Sequence, residues 1–147
     1  MIRPARLSDL SGILNLYQEL RPNDPRLEAT QAKQKLDDII SNPNTEIIVA
    51  DIEGKLCATC MLGVVPSLAM GAKPFGIIEH VVTLSEARGK GYGKAVLTYA
   101  LELAWKLGCY KVVLLSGAQR TDAHHLYKSV GFVGDVEKGF VAKPKKN

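Results

Sequence analysis

The sequence predicts an α/β fold in which a mixed sheet is covered by helices on both sides. Three observations carry that prediction. The hydrophobic period switches between helical and strand spacing, and strands alternate with helices through the second half of the chain. The continuous apolar run from Tyr110 to Ser116 also reads as a strand buried on both faces. The 147 residues suit one domain, expected over 1–142 with a basic tail at 143–147. A chain of this length buries enough surface to hold a core without disulfides.

Ile2 to Arg6 is a short first strand. With Ser8 as N-cap, Leu10, Ile13, Leu14, Tyr17 and Leu20 then recur at helical spacing until Pro22 and Pro25. A second amphipathic helix fits Leu27 to Ile40, with Ala32, Leu36, Ile39 and Ile40 inward, and Asn42-Pro43-Asn44 stops it. Glu46 to Ile52 and Lys55 to Val65 flank the Glu53-Gly54 turn as an antiparallel hairpin. Pro66 to Pro74 is a surface loop, and Phe75 to Leu84 another strand. Gly91 to Leu107 is the strongest helix, ended by Gly108. It is apolar around most of its girth, so burial on most sides is expected. Thr121 to Val130 forms a short helix, capped by Thr121 or Asp122, and Phe132 to Ala142 supplies one or two last strands.

Composition excludes several classes. No run approaches the roughly 18–20 apolar residues of a bilayer span. Met1 to Leu10 is charged and lacks the apolar stretch of a secretory signal. Three cysteines cannot all pair, so a reduced, cytoplasmic protein is expected. The net charge of +4 suits an anionic small ligand without demanding one.

The chemistry concentrates at Arg88-Gly89-Lys90-Gly91-Tyr92-Gly93-Lys94, directly between a strand and a helix. Glycines let a ligand approach the backbone, while the first helical N–H groups lack internal partners and carry partial positive charge. That is an anion site suited to a pyrophosphate. A Walker A loop fails, because Arg88 stands where its first Gly belongs and Ala95 where its hydroxyl belongs. A dinucleotide fingerprint fails too, since its third Gly is missing.

Arg88-Gly89-Lys90-Gly91-Tyr92-Gly93 resembles the Arg/Gln-x-x-Gly-x-Gly/Ala fingerprint of the GCN5-related N-acetyltransferase (GNAT) family. Ile78-Glu79-His80-Val81-Val82-Thr83 resembles that family's substrate-side strand. Leu126-Tyr127-Lys128-Ser129-Val130-Gly131-Phe132 resembles its Phe/Leu-Tyr-x-x-x-Gly-Phe signature. Closer likenesses are to glucosamine-6-phosphate N-acetyltransferases, through Glu79-x-Val81-Val82 and Cys109-Tyr110-Lys111, and to aminoalkylphosphonate N-acetyltransferases, through Arg120-x-Asp122-Ala123-His124-x-x-Tyr127.

The resemblance implies a mostly antiparallel sheet splayed between the strands ending near Thr83 and starting near Tyr110. Acetyl-CoA would lie in that splay. Its pantetheine would pair with the backbone of Val81, Val82 and Thr83, and its pyrophosphate would sit on Gly89 to Lys94. Glu79 is then the candidate base or amine binder, a Val82 N–H the oxyanion donor, and Tyr127 the acid that protonates the departing thiolate. Where many relatives carry Asn for the pantetheine, this chain has Arg120, which would reach the cofactor or an anionic substrate. Strand alternation turns His80 away from Glu79's face unless a bulge intervenes.

These features point to acetyl transfer from acetyl-CoA to the primary amine of a small, anionic metabolite. The alternatives are a protein or peptide acetyltransferase, which needs an open groove, and a non-catalytic acyl-CoA-binding module. No metal is called for. Cys57-Ala58-Thr59-Cys60 lacks a second ligand pair and falls in a strand, where its thiols point to opposite faces, and His124 and His125 point about 100° apart on a helix. Neither a nucleic acid nor a membrane partner is expected, and pairing into a homodimer stays open.

Overall fold

The computed structural model describes residues 1–145. The chain divides into two compact units, Met1–Leu114 and a second beginning at Leu115. No helix among the described residues is long and apolar enough to cross a membrane.

The first unit is built on a five-stranded sheet in the order β1-β2-β3-β4-β5. Its strands are β1 (Ile2–Pro4), β2 (Thr45–Ile52), β3 (Lys55–Val65), β4 (Phe75–Thr83) and β5 (Val112–Val113). The first three pairings are antiparallel and β4–β5 is parallel, so the sheet is mixed as expected. Helices α1 (Leu10–Leu20) and α2 (Ala29–Ser41) belong to one face. There Ile13, Leu16 and Leu36 pack with Ile47, Val49, Cys57 and Val82. Cys60, an odd step along β3 from Cys57, points to the other face and donates its thiol to the Val96 carbonyl at 3.5 Å. That carbonyl belongs to α4 (Tyr92–Lys106), and Ile48, Leu62, Ile78, Val96 and Leu97 are all fully buried. The one-turn α3 (Ala69–Ala72) lies in the loop before β4.

Several expectations need correction. Ser8 does not cap α1: a short 3-10 turn, Leu7–Asp9, precedes the helix, and the Asp9 carboxylate accepts the Arg6 N–H at 2.8 Å. Helix α2 is capped by Glu28, whose carboxylate accepts the N–H groups of Thr30 and Gln31, and Ile40 is exposed rather than inward. Trp105 (52%) and Leu107 (48%) of the α4 segment face solvent, so the helix is buried on one side, not most. The run from Tyr110 to Ser116 yields a two-residue, half-buried strand, because β5 is the sheet edge and pairs only β4.

The second unit holds α5 (Thr121–Ser129), with Ala123 and Tyr127 buried. Its N-cap is Arg120, not Thr121 or Asp122, and His124 Nε2 lies 2.9 Å from the Gly117 carbonyl. Tyr127 and Phe132 meet edge-on at 6.1 Å. The strands expected over Phe132 to Ala142 do not form, and Val133, Val136, Phe140 and Val141 are exposed. Of the tail expected at 143–147, residues 143–145 are exposed and outside any helix or strand, and residues 146–147 lie outside the described residues.

Candidate active site

Strand β4 is paired with β3 along most of its length but with β5 only at Gly76↔Val112 and Ile77↔Val113. The contact is close because Gly76 has no side chain: a Cβ there would lie 3.1 Å from Val112 Cγ2 and 3.2 Å from Leu62 Cδ1. From Ile78 to Thr83 no strand flanks that edge of β4 among the described residues. The sheet is therefore open along that edge, where the splay was expected, but the Leu84 N–H bond to the Cys57 carbonyl and the pairing Val82↔Thr59 turn the backbone groups of Val82 toward β3, so the N–H expected to meet an oxyanion is committed to the sheet. A strand edge of this kind presents unpaired N–H and C=O groups to an extended ligand.

The opposite edge of β4 carries a bulge. The register passes from Met61↔Glu79 to Thr59↔Val82, so His80 and Val81 together oppose Cys60. His80 takes φ +55°, a left-handed value that L-residues seldom adopt. The extra residue resets the alternation. Glu79 is the cross-strand neighbour of Met61 and shares its face. Met61 and Val82 both belong to the cluster packed by α1 and α2, although regular alternation would separate Glu79 from Val82. The His80 ring is also on that side, 5.3 Å from the ring of Tyr17 on α1 and tilted by 51°. The condition on which Glu79 and His80 share a face is thus met. Glu79 is exposed and His80 half-buried.

Just past β4 the chain makes a short 3-10 turn, Ser85–Ala87, and enters the glycine loop. That turn is held from three sides. Glu19 of α1 accepts the Ser85 N–H at 2.8 Å, Lys55 of β3 pairs with Glu86, and Arg88 Nε donates weakly to the Thr83 carbonyl at 3.4 Å. The hydrogen bond from Ser85 holds the Glu19 carboxyl below its usual range. Gly89 (φ +78°) and Gly91 (φ +84°) adopt conformations that side chains disfavour, and an added Cβ would meet no atom within 4 Å at either. Gly91 is the N-cap of α4 and offers no side-chain cap to the first N–H groups of the helix. Arg88, Lys90 and Lys94 are exposed around them, and Gly93 is buried. Together these residues form a positively charged cradle at the end of the open β4 edge.

The first unit thus brings Glu79, Val81, Val82 and Thr83 into continuity with Arg88, Gly89, Lys90, Gly91, Tyr92, Gly93 and Lys94. Tyr127 and Arg120 belong to the second unit; Tyr127 is buried and Arg120 exposed. Sequence reasoning missed Tyr17 as a neighbour of the site. Its helical spacing marked it as core, and only the bulge gives it a partner on β4. Burial pushes the Tyr17 phenol up to about 12.

The family model described as "Acetyltransferase (GNAT) family" matches residues 13–132. This chain belongs to the GNAT acetyltransferase family and is an N-acetyltransferase by that membership. It is 31% identical over 135 residues to glucosamine 6-phosphate N-acetyltransferase 1 of rice, covering 90% of this chain and 80% of the rice protein. Among solved structures, a putative acetyltransferase from Agrobacterium tumefaciens superposes with a TM-score of 0.92 at 41% identity, over 98% of this chain and 99% of that one. Glucosamine-6-phosphate N-acetyltransferase from Arabidopsis thaliana superposes with a TM-score of 0.86 over 100% of this chain and 98% of that one. At 24% identity that second likeness speaks for the fold alone.

Proposed function

We propose that this protein transfers the acetyl group of acetyl-CoA to the primary amine of a small, anionic metabolite by direct attack. The observation that carries the reading is the open edge of β4 running into an uncapped, glycine-lined helix N-terminus. An extended pantetheine would pair with the open edge at Val81 and Thr83, and a diphosphate would rest on the N–H groups from Gly89 to Lys94 with Arg88, Lys90 and Lys94 around it. Arg120 would meet the cofactor or the acceptor's anion.

A primary amine of lysine-like basicity is neutral in about one molecule in a few thousand at pH 7. Glu79 would hold the ammonium and draw a proton from it, directly or through one water, an effect worth roughly 10²–10⁴-fold. The neutral amine attacks the thioester carbonyl, whose developing oxyanion would be met by a backbone N–H of the open β4 edge. As the C–S bond breaks, Tyr127 would protonate the thiolate. Fixing amine and thioester side by side supplies a further large term.

Three facts support a small anionic acceptor. The net charge is +4. A groove of about 770 Å³ runs between α1 and α2, lined by Leu14, Tyr17, Arg26, Leu27 and Arg21, the last paired with Asp24, so that Arg26 is, among the described residues, the cation left to an anion there. The rice relative is named for acetylating a sugar phosphate. The test is a panel following thiol release from acetyl-CoA with amino sugar phosphates, aminophosphonates, polyamines, amino acids and peptides. Turnover fastest with a phosphorylated or phosphonylated amine is expected. Release with peptides alone would replace this reading by a protein acetyltransferase, and no release with any acceptor would leave an acyl-CoA-binding module.

A further inference from the structure

The bulge in β4 spends an unfavourable backbone conformation on one residue, and that residue carries an imidazole. In a regular strand His80 would point to the α4 face, into the packing around Cys60 and Val96. With φ +55° it turns instead toward α1, against Tyr17 and on the face that Glu79 occupies. We propose that His80 is a catalytic residue of the acetyl transfer, the group to which the acceptor's proton passes once Glu79 has drawn the ammonium in. This rests on the acetyltransferase reading above and refines it: Glu79 keeps the role of ammonium binder, and the proton it was given there goes to His80.

The chemistry favours a second group. An ordinary carboxylic acid and an alkylammonium differ by about six pH units, so a carboxylate attracts the ammonium well but stores its proton poorly. Imidazole is the side chain whose intrinsic titration lies nearest neutral pH, where proton transfer in both directions is efficient. The surroundings suit that task. The Tyr17 phenol is kept neutral by burial and fixes one side of the ring. From β3, Cys60 turns its thiol to the α4 side and is likewise kept neutral by burial, and α4 itself lies on the opposite face. Glu79, next along the strand, supplies negative charge to the new imidazolium.

The step balances. One N–H bond of the ammonium breaks, its electron pair stays on nitrogen, and the proton joins the free ring nitrogen of His80. The amine then attacks the carbonyl carbon and the C–S pair leaves on sulfur, which takes a proton from Tyr127. The second amine proton, lost as the adduct collapses, restores Tyr127, and His80 returns its proton to water. One proton is released per turnover.

The test uses His80→Asn and His80→Gly in the full chain, because Asn and Gly tolerate positive φ and keep the bulge. The acceptor is the panel amine that the unaltered protein turns over fastest, with glucosamine 6-phosphate tried first. At pH 7, kcat/KM for the amine should fall roughly 10²-fold. The KM for acetyl-CoA should stay within about 3-fold, as expected of a residue outside the cofactor cradle. The acid limb of the pH–rate profile should move to lower pH, and added imidazole should restore part of kcat in His80→Gly. Variants that melt normally and keep both rate and acid limb would overturn the proposal, as would a loss that follows melting and ignores imidazole. These outcomes presuppose turnover by the unaltered protein; its absence with every amine would instead defeat acetyl transfer itself.

Discussion

Arg3 has 9% of its surface exposed and sets its guanidinium on two carboxylates, Asp9 at 2.8 and 3.0 Å and Asp51 at 3.0 Å. Breaking a buried pair costs roughly 3–5 kcal/mol because the surviving charge is left without a partner. This cluster opens to water through Asp51, whose side chain is 23% exposed. Arg3→Ala should therefore destabilise by on the order of 2–3 kcal/mol, read from denaturant midpoints. Hydrogen bonds from Arg3 hold both carboxyls below their usual range, with the Arg6 N–H adding to Asp9 and the Gly54 N–H to Asp51. A depressed folded pKa means stability that is complete above the unfolded carboxylate value and lost as pH falls through the folded one. The melting temperature should accordingly hold from neutrality to about pH 5 and drop below about pH 4, with a shallower drop in Asp9→Asn. Tyr127→Phe belongs to the same scale. It should lower kcat far more than acetyl-CoA affinity, and equal loss of both would remove the acid role. Tyr127 is singled out by the sequence as a candidate because it sits inside a spaced signature; the Arg3 cluster was not legible, because nothing local says that residue 3 will meet residue 51.

Among the elements, those read correctly are the ones whose signal is internal to the segment. The β2–β3 hairpin announced itself by a turn between two β-rich runs, and α4 by its apolar spacing and bounding glycines. The misread ones depend on neighbours. Tyr110 to Ser116 is as apolar as a central strand, yet only Val112–Val113 find a partner, because β4 swings away after Ile77. Phe132 to Ala142 holds β-prone Phe and Val residues but has no strand beside it among the described residues. The bulge was legible only as a condition, since nothing in Glu79-His80-Val81 says which residue will be the extra one. Packing between elements gives a sharper test at Gly12 of α1. An added Cβ there would lie 2.8 Å from Leu56 Cδ1 and 2.9 Å from its Cγ. Gly12→Ala gains about 1 kcal/mol of helix propensity but incurs the roughly 1–3 kcal/mol of overpacking. A net loss on the order of 1 kcal/mol is expected, lowering the melting temperature by about 2–4 °C.

At the scale of the whole molecule, the open side of β4 and the start of α4 are consequences of one packing decision. Burying Val96, Leu97, Ala100 and Ala104 fixes α4 against the sheet, and the parting of β4 from β5 leaves backbone groups free beside it. The proposed cofactor cradle is thus set by the core, which is why a short motif near residue 90 could stand for a fold. The sequence could not show how the first seventy residues meet the β4 bulge, because Tyr17 reaches His80 only through tertiary packing.

Calorimetric titration of acetyl-CoA into the unaltered protein, Gly91→Ala and Gly91→Glu tests the central claim. Both variants carry the same left-handed strain at φ +84°, and only Glu adds negative charge where a diphosphate would sit. Binding should persist in the unaltered protein, weaken modestly in Gly91→Ala and vanish in Gly91→Glu, with both variants still folded by circular dichroism. Equal affinity in all three, or no binding even by the unaltered protein, would contradict it.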